Sequence, residues 1–187
     1  MGSYSDPSDR QGLAHAVEHD VFISSAKYPE VDALTTLVGR WGGSTNAYTD
    51  DMATVYEVEI TDSSEGRDLY NGKPKLEHAL DVFGAMFVAP TFNPAYVDKE
   101  RNAVHDEFAR KEFDPSRRAR AVLFKVINQR HPSAHFATGN KYSLADSPGR
   151  SLRTDVSNFF DQHYSSSKMH IAVVGPQSTR TLERWVE

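Results

Sequence analysis

Leu13, Val17 and Val21 recur every fourth residue, with Phe22 beside them and Ala14 and Ala16 between. That period predicts an α-helix over residues 11–24 with one apolar side. Val31, Leu34, Leu37 and Val38 repeat the spacing. Pro29 suits a first helical turn and Gly42-Gly43 suits a helix end, so a second helix is expected over 29–41. The period then changes. Between 53 and 60, Val55, Glu57 and Glu59 alternate with Tyr56, Val58 and Ile60, which reads as a strand. Residues 44–49 are its expected antiparallel partner, across the short Asp50-Asp51-Met52 link. Residues 61–74 are polar, contain Asn71-Gly72 and read as a loop. Helical spacing returns over 75–88, where Leu76, Ala79, Leu80, Phe83, Met86 and Phe87 form a core stripe. It continues from Pro94 through Tyr96, Val97, Ala103, Val104 and Phe108. Asp114-Pro115 interrupts the pattern, so a kink or a new start is expected at Ser116, running to Ile127. Residues 131–144 read as a loop with a helical turn at most. A helix over 151–164 turns Leu152, Val156, Phe159 and Phe160 inward. The apolar run 169–174 is expected as a buried strand, and Gly175-Pro176 leads into a last short helix.

This order predicts an α+β fold: a mainly antiparallel sheet with helices packed largely on one face. At 187 residues one domain is expected, large enough to bury a core. The net charge of −5 offers no basic field for nucleic acid. The arginines 117, 118 and 120 read as a solvated face pairing with acids rather than as a phosphate site. No apolar run approaches the ~18 residues of a membrane span. The first residues carry no basic-and-apolar signal pattern. The chain has no cysteine, which excludes disulfides and thiolate ligands and leaves His, Asp and Glu to hold any metal. Those features fit an intracellular, cytoplasmic protein.

The chemistry concentrates in Gly12-Leu13-Ala14-His15-Ala16-Val17-Glu18-His19. On a helix, positions four apart lie on one face, one turn apart. His15 and His19 can therefore offer two imidazole nitrogens to one cation, as zinc ligands do. Glu18 points near the same place but stands one residue out of line, which suits a general base better than a third ligand. The order H-x-x-E-H inverts the common zincin order. Read alone, the same residues are also consistent with two surface histidines on a polar helix. Glu100 and Glu107 lie seven apart and share a face, which by itself describes a solvated charged helix. His131 and His135 also stand four apart, but Pro132 argues against one helix, so they are loop histidines.

Further motifs follow in order: Asp6-Pro7; Lys27-Tyr28-Pro29; Gly42-Gly43-Ser44-Thr45-Asn46-Ala47-Tyr48-Thr49; Thr54-Val55-Tyr56; Glu100-Arg101-Asn102-Ala103-Val104 through Glu107; His131-Pro132; Thr138-Gly139-Asn140-Lys141. Together with the histidine motif they resemble the pitrilysin/insulysin family of inverted zinc metallopeptidases, the insulysin-like branch in particular. The resemblance covers most of that family's first, metal-bearing domain, which the single domain 1–187 would represent truncated at both ends. It implies a Zn²⁺ site held by His15, His19 and Glu107, with Glu100 as a supporting carboxylate. It implies Glu18 as the base in a zinc-dependent hydrolase, where metal-activated water attacks a peptide carbonyl. It also implies substrate contacts at Asn46, Ala47 and Tyr48, with the peptide added as a strand. Asp20 departs from the family, which usually carries an apolar residue there; it turns to solvent or acts beside the metal or substrate. The polar 61–74 segment is longer than in close relatives. Relatives close a second half over this domain. The expected partners are thus a peptide or small-molecule substrate and a homodimer mate or partner chain supplying missing elements. Two alternatives stand beside the peptidase: a stand-alone zinc enzyme re-purposed for small molecules, and a non-catalytic metal-binding or interaction module.

Overall fold

The computed structural model describes residues 1–61 and 69–187. Its element order is α1 (Leu13–Val21), α2 (Ala33–Arg40), β1 (Ser44–Thr49), β2 (Thr54–Glu59), β3 (Leu69–Tyr70), β4 (Lys73–Pro74), α3 (Lys75–Val88), α4 (Pro94–Lys111), α5 (Pro115–Val126), α6 (Leu152–His163) and α7 (Thr179–Val186). The α+β class stands, and the sheet is small. Among the described residues, β1 pairs with β2 and β3 with β4. A bond from Asp50 N to Ala53 O at 2.8 Å closes the first hairpin, which makes its strands antiparallel. No helix among the described residues is long and apolar enough to cross a membrane.

Two compact units divide the chain. The first comprises Met1–Asp20, Ala47–Val55 and Phe92–Ser165; the second comprises Val21–Asn46, Tyr56–Thr91 and Ser166–Glu187. In the first, Leu13, Val17, Val97, Val104, Leu144, Leu152 and Val156 are almost wholly buried, and α4 packs on α6. Phe92 meets Phe160 edge-on at 5.5 Å. The opening residues are tied to the hairpin tip: Ser3 N and Tyr4 N donate to the carbonyls of Asp50 and Asp51 at 2.9 Å each. Arg10, only 3% exposed, donates from Nε to Asp155 of α6 at 2.6 Å and from Nη1 to the Ala145 carbonyl at 2.5 Å. In the second unit, Leu34, Leu37, Val38, Ala79, Val82 and Met86 are buried, and α3 packs on α2 and α7.

Three expectations are corrected. The second helix begins at Ala33, not Pro29, because Asp32 takes a left-handed φ of 55° that no α-helix can pass through. Residues 169–174 form no strand. Met169, Ile171 and Val174 are 39%, 54% and 94% exposed, and no described strand lies alongside to pair their backbone groups. Of the expected loop 61–74, residues 62–68 lie outside the described residues, and residues 69–74 fold into the β3–β4 ribbon. Asn71 and Gly72 at its tip have φ of 50° and 79°, the pair of positive values an Asn-Gly hairpin turn needs. The interruption at Asp114-Pro115 is a new start, as expected. Pro115 opens α5 and the Asp114 carboxylate accepts from Arg117 N at 2.9 Å.

Candidate metal centre

Asp6 closes the N-terminus of α1. Its carboxylate accepts from Gly12 N and Ala14 N at 2.7 Å each, satisfying donors that a helix start leaves free. Burial pushes its carboxyl up to about 6, with the backbone bonds pulling the other way. Gly12 has a φ of +90° and packs so closely on Gly139 that a Cβ would stand 2.2 Å from the Gly139 Cα. That approach brings Thr138 against the metal helix, and His15 Nδ1 donates to its carbonyl at 2.7 Å. One turn on, His19 Nδ1 donates to Glu100 Oε2 at 3.1 Å. In a neutral ring with its proton on Nδ1, the Nε2 lone pair is available to a cation, whereas a protonated ring donates from Nε2.

Both Nε2 atoms meet α4. Glu107 Oε2 lies 3.4 Å from His15 Nε2 and 3.8 Å from His19 Nε2. Donors sharing a tetrahedral cation at ~2.0–2.1 Å stand about 3.3 Å from one another, close to both of these distances. His15, Glu18 and His19 also offer atoms that all lie within 4.8 Å of one another. The hydrogen bonds of His15 and His19, together with Lys111, hold the Glu107 carboxyl well below the usual range against the effect of burial. Lys111 reaches its other oxygen at 2.6 Å. Burial would lower His19, but Glu100 and Glu107 outweigh it and raise the imidazole to about 9 in the metal-free chain. A site that draws a proton this strongly onto an imidazole is one built for positive charge.

Glu18 is 5% exposed. One of its oxygens accepts from the Thr49 hydroxyl at the end of β1. Sequence reasoning missed Thr49 as a site residue, although it closes a quoted motif and alternation puts it on the same strand face as Ala47. The Thr138 carbonyl was missed as well; its signal was the glycine beside it. Asp20 does not turn to solvent. It is 2% exposed, one oxygen has no hydrogen-bond partner among the described residues, and burial with the nearby Glu100 charge raises it to about 7. Asn46, Ala47 and Tyr48 lie on β1, whose exposure alternates, with Tyr48 48% exposed. Asn46 falls in the second unit, and Ala47 and Tyr48 in the first. His131 and His135 flank a short 3-10 turn, Pro132–Ala134, and stand apart from the His15 group.

The family model "Insulinase (Peptidase family M16)" matches residues 1–136. The chain belongs to the insulinase family. All of the His15, Glu18, His19, Glu100 and Glu107 constellation falls inside the matched span, and Thr138 just beyond it. Among M16 relatives, Protease 3 of Salmonella typhimurium is 34% identical over 173 residues, 92% of this chain and 17% of that protein. The human insulin-degrading enzyme is 32% identical over 189 residues, 100% of this chain and 18% of the enzyme. This insulinase-family chain therefore spans less than a fifth of the length of these curated relatives. The crystal structure of pitrilysin matches 99% of the chain and 19% of its own, with a TM-score of 0.90 and 29% identity. A protease from Helicobacter pylori shares the fold at a TM-score of 0.77.

Proposed function

We propose that the chain is the metal-bearing part of a zinc-dependent peptidase, with His15, His19 and Glu107 as ligands. The observation that carries this reading is the convergence of two Nε2 atoms on one Glu107 oxygen while each Nδ1 is engaged elsewhere. Zinc, when bound, lowers the pKa of water towards about 7 and polarises a carbonyl. The protein's own residues do the rest. The Thr138 carbonyl and Glu100 fix the two rings and keep Nε2 free of a proton once a cation competes for it. Thr49 occupies one oxygen of Glu18 and leaves the other to take a proton from the attacking water and return it to the leaving amine. Asn46, Ala47 and Tyr48 offer a strand edge to which an extended peptide adds by backbone hydrogen bonds, with little demand on side-chain identity. A second polypeptide surface, from a mate or a partner chain, supplies the enclosure and further donors that carbonyl attack needs.

Elemental analysis of the purified chain tests the ligand set. About one zinc per chain is expected, and it should be lost in His15→Ala, His19→Ala and Glu107→Ala. Undiminished zinc in Glu107→Ala removes Glu107 from the set. Assayed on a quenched fluorescent peptide together with the second polypeptide that makes the parent active, Glu18→Gln should keep the zinc and abolish cleavage, because an amide cannot accept the proton. Equal cleavage by Glu18→Gln refutes the base.

A further inference from the structure

Helix α5 is turned inside out. Ala119, Val122, Leu123 and Val126 follow the i, i+3, i+4, i+7 spacing of a helix that faces a core. Yet α5 has no buried residue, and Val122, Leu123 and Val126 are 66%, 53% and 75% exposed. The opposite side carries the inward contacts: Phe124 stacks under the Arg120 guanidinium at 5.1 Å, and Arg120 reaches Asp51 at 3.2 Å. Phe113, just before the helix, is 78% exposed. Arg118 and Lys125, two turns apart, border one edge of the stripe and form no ion pair among the described residues. From Pro115 to Ala145 the chain has no Asp or Glu but carries Arg117, Arg118, Arg120, Lys125, Arg130 and Lys141. This concentration of positive charge sits in a chain whose net charge is −5.

We infer that α5 is a docking surface for a polypeptide whose own apolar strip is bordered by carboxylates. Charge complementarity selects that occupant. A second copy of α5 offers that basic edge no carboxylate, since residues 115–126 contain no Asp or Glu, and an antiparallel pair would set the edge against itself. An anionic membrane is the poorer fit. The stripe has aliphatic side chains and no Trp or Tyr to anchor at an interface, and Glu112 and Asp114 stand at the helix start, where anionic lipid would repel them. An acid-bordered apolar strip satisfies both the stripe and its basic edge.

The test uses the full chain and a fluorescein-labelled helical peptide with leucines at i, i+3, i+4 and i+7 and glutamates along one flank, followed by anisotropy. Binding is expected, weakening as salt rises. Leu123→Ser with Val126→Ser should weaken it by about tenfold or more, since each side chain left unburied forfeits roughly that factor. These residues are exposed, so the metal content and the unfolding midpoint should not move. Arg118→Glu with Lys125→Glu should lose the acidic peptide and gain its lysine-flanked counterpart. Each of four results overturns the inference: no binding of the acidic peptide, equal binding of the lysine-flanked peptide by the parent chain, binding instead to phosphatidylglycerol vesicles that Leu123→Ser abolishes, or a dimer that the same change dissolves.

Discussion

Replacing Glu100 by Gln isolates what this carboxylate would do for the proposed metal site. The amide can still accept the His19 Nδ1–H, now at 3.1 Å from Glu100, but the negative charge is gone. In the metal-free chain that charge, with Glu107, raises His19 from 6.5 to about 9 against burial. At about 1.4 kcal/mol per unit, the protonated ring adds on the order of 3 kcal/mol to folding. The sign follows from a folded-state pKa above the unfolded one. The contribution is fully present below pH 6.5 and is lost as pH rises through about 9. Metal-free parent protein should therefore lose stability towards urea across that window, and Glu100→Gln should flatten the decline. Metal affinity should fall by about 10–100-fold, the usual effect of removing a carboxylate that orients a ligating imidazole. A chromophoric chelator in competition reads this directly. Weaker proton competition in the variant works the other way, so the affinity is compared above pH 9, where no proton contends for Nε2. Parent and variant binding metal equally there would refute the role given to Glu100.

Thr49→Val keeps the shape but removes the donor to Glu18; peptide cleavage should fall by about 10–100-fold, matching ~1.5–3 kcal/mol for a hydrogen bond to a charged group, while zinc content is unchanged. Loss of zinc instead would make Thr49 structural. Gly12→Ala should destabilise the chain and lower zinc occupancy, because its Cβ would meet Gly139 backbone at 2.2 Å in a strained φ; an unchanged unfolding midpoint would show that the backbones can part freely. Arg10→Ala should cost about 3–5 kcal/mol in urea unfolding, since it strips a buried partner from Asp155. A loss under ~1 kcal/mol would show that Arg150, 2.7 Å from the same oxygen, suffices.

The helices were legible because their apolar spacing is decided locally. The bounds 75–88 agree with α3, and Asp114-Pro115 announced the restart that α5 makes. The histidine pair was legible for the same reason, one turn of helix. Glu107 and Glu100 were not legible from spacing, since a helical glutamate usually faces water; a family resemblance singled them out, and the fold brings them to His15 and His19. What escaped depends on partners distant in sequence. A carbonyl such as that of Thr138 has no side-chain signature, and Thr49 becomes a site residue only when β1 meets α1. Residues 169–174 look like a strand by composition, but a strand is a relation between two segments, and no described neighbour completes it.

The bond from His15 to Thr138 spans 123 positions of sequence. At synthesis speeds of about 5–20 residues per second, the histidine pair emerges roughly 6–25 s before the carbonyl that orients it. Glu107, the third donor, also emerges well after the pair. In that interval a passing ion meets two imidazoles with the Glu18 carboxylate beside them, and neither Glu107 nor the Thr138 carbonyl. Two nitrogens rank divalent ions by intrinsic affinity, which favours copper over zinc. The discrimination that a shaped three-donor site provides begins only when α4 docks. On the proposed ligand set, the metal finally held would depend on the order of arrival of the donors as well as on their final geometry.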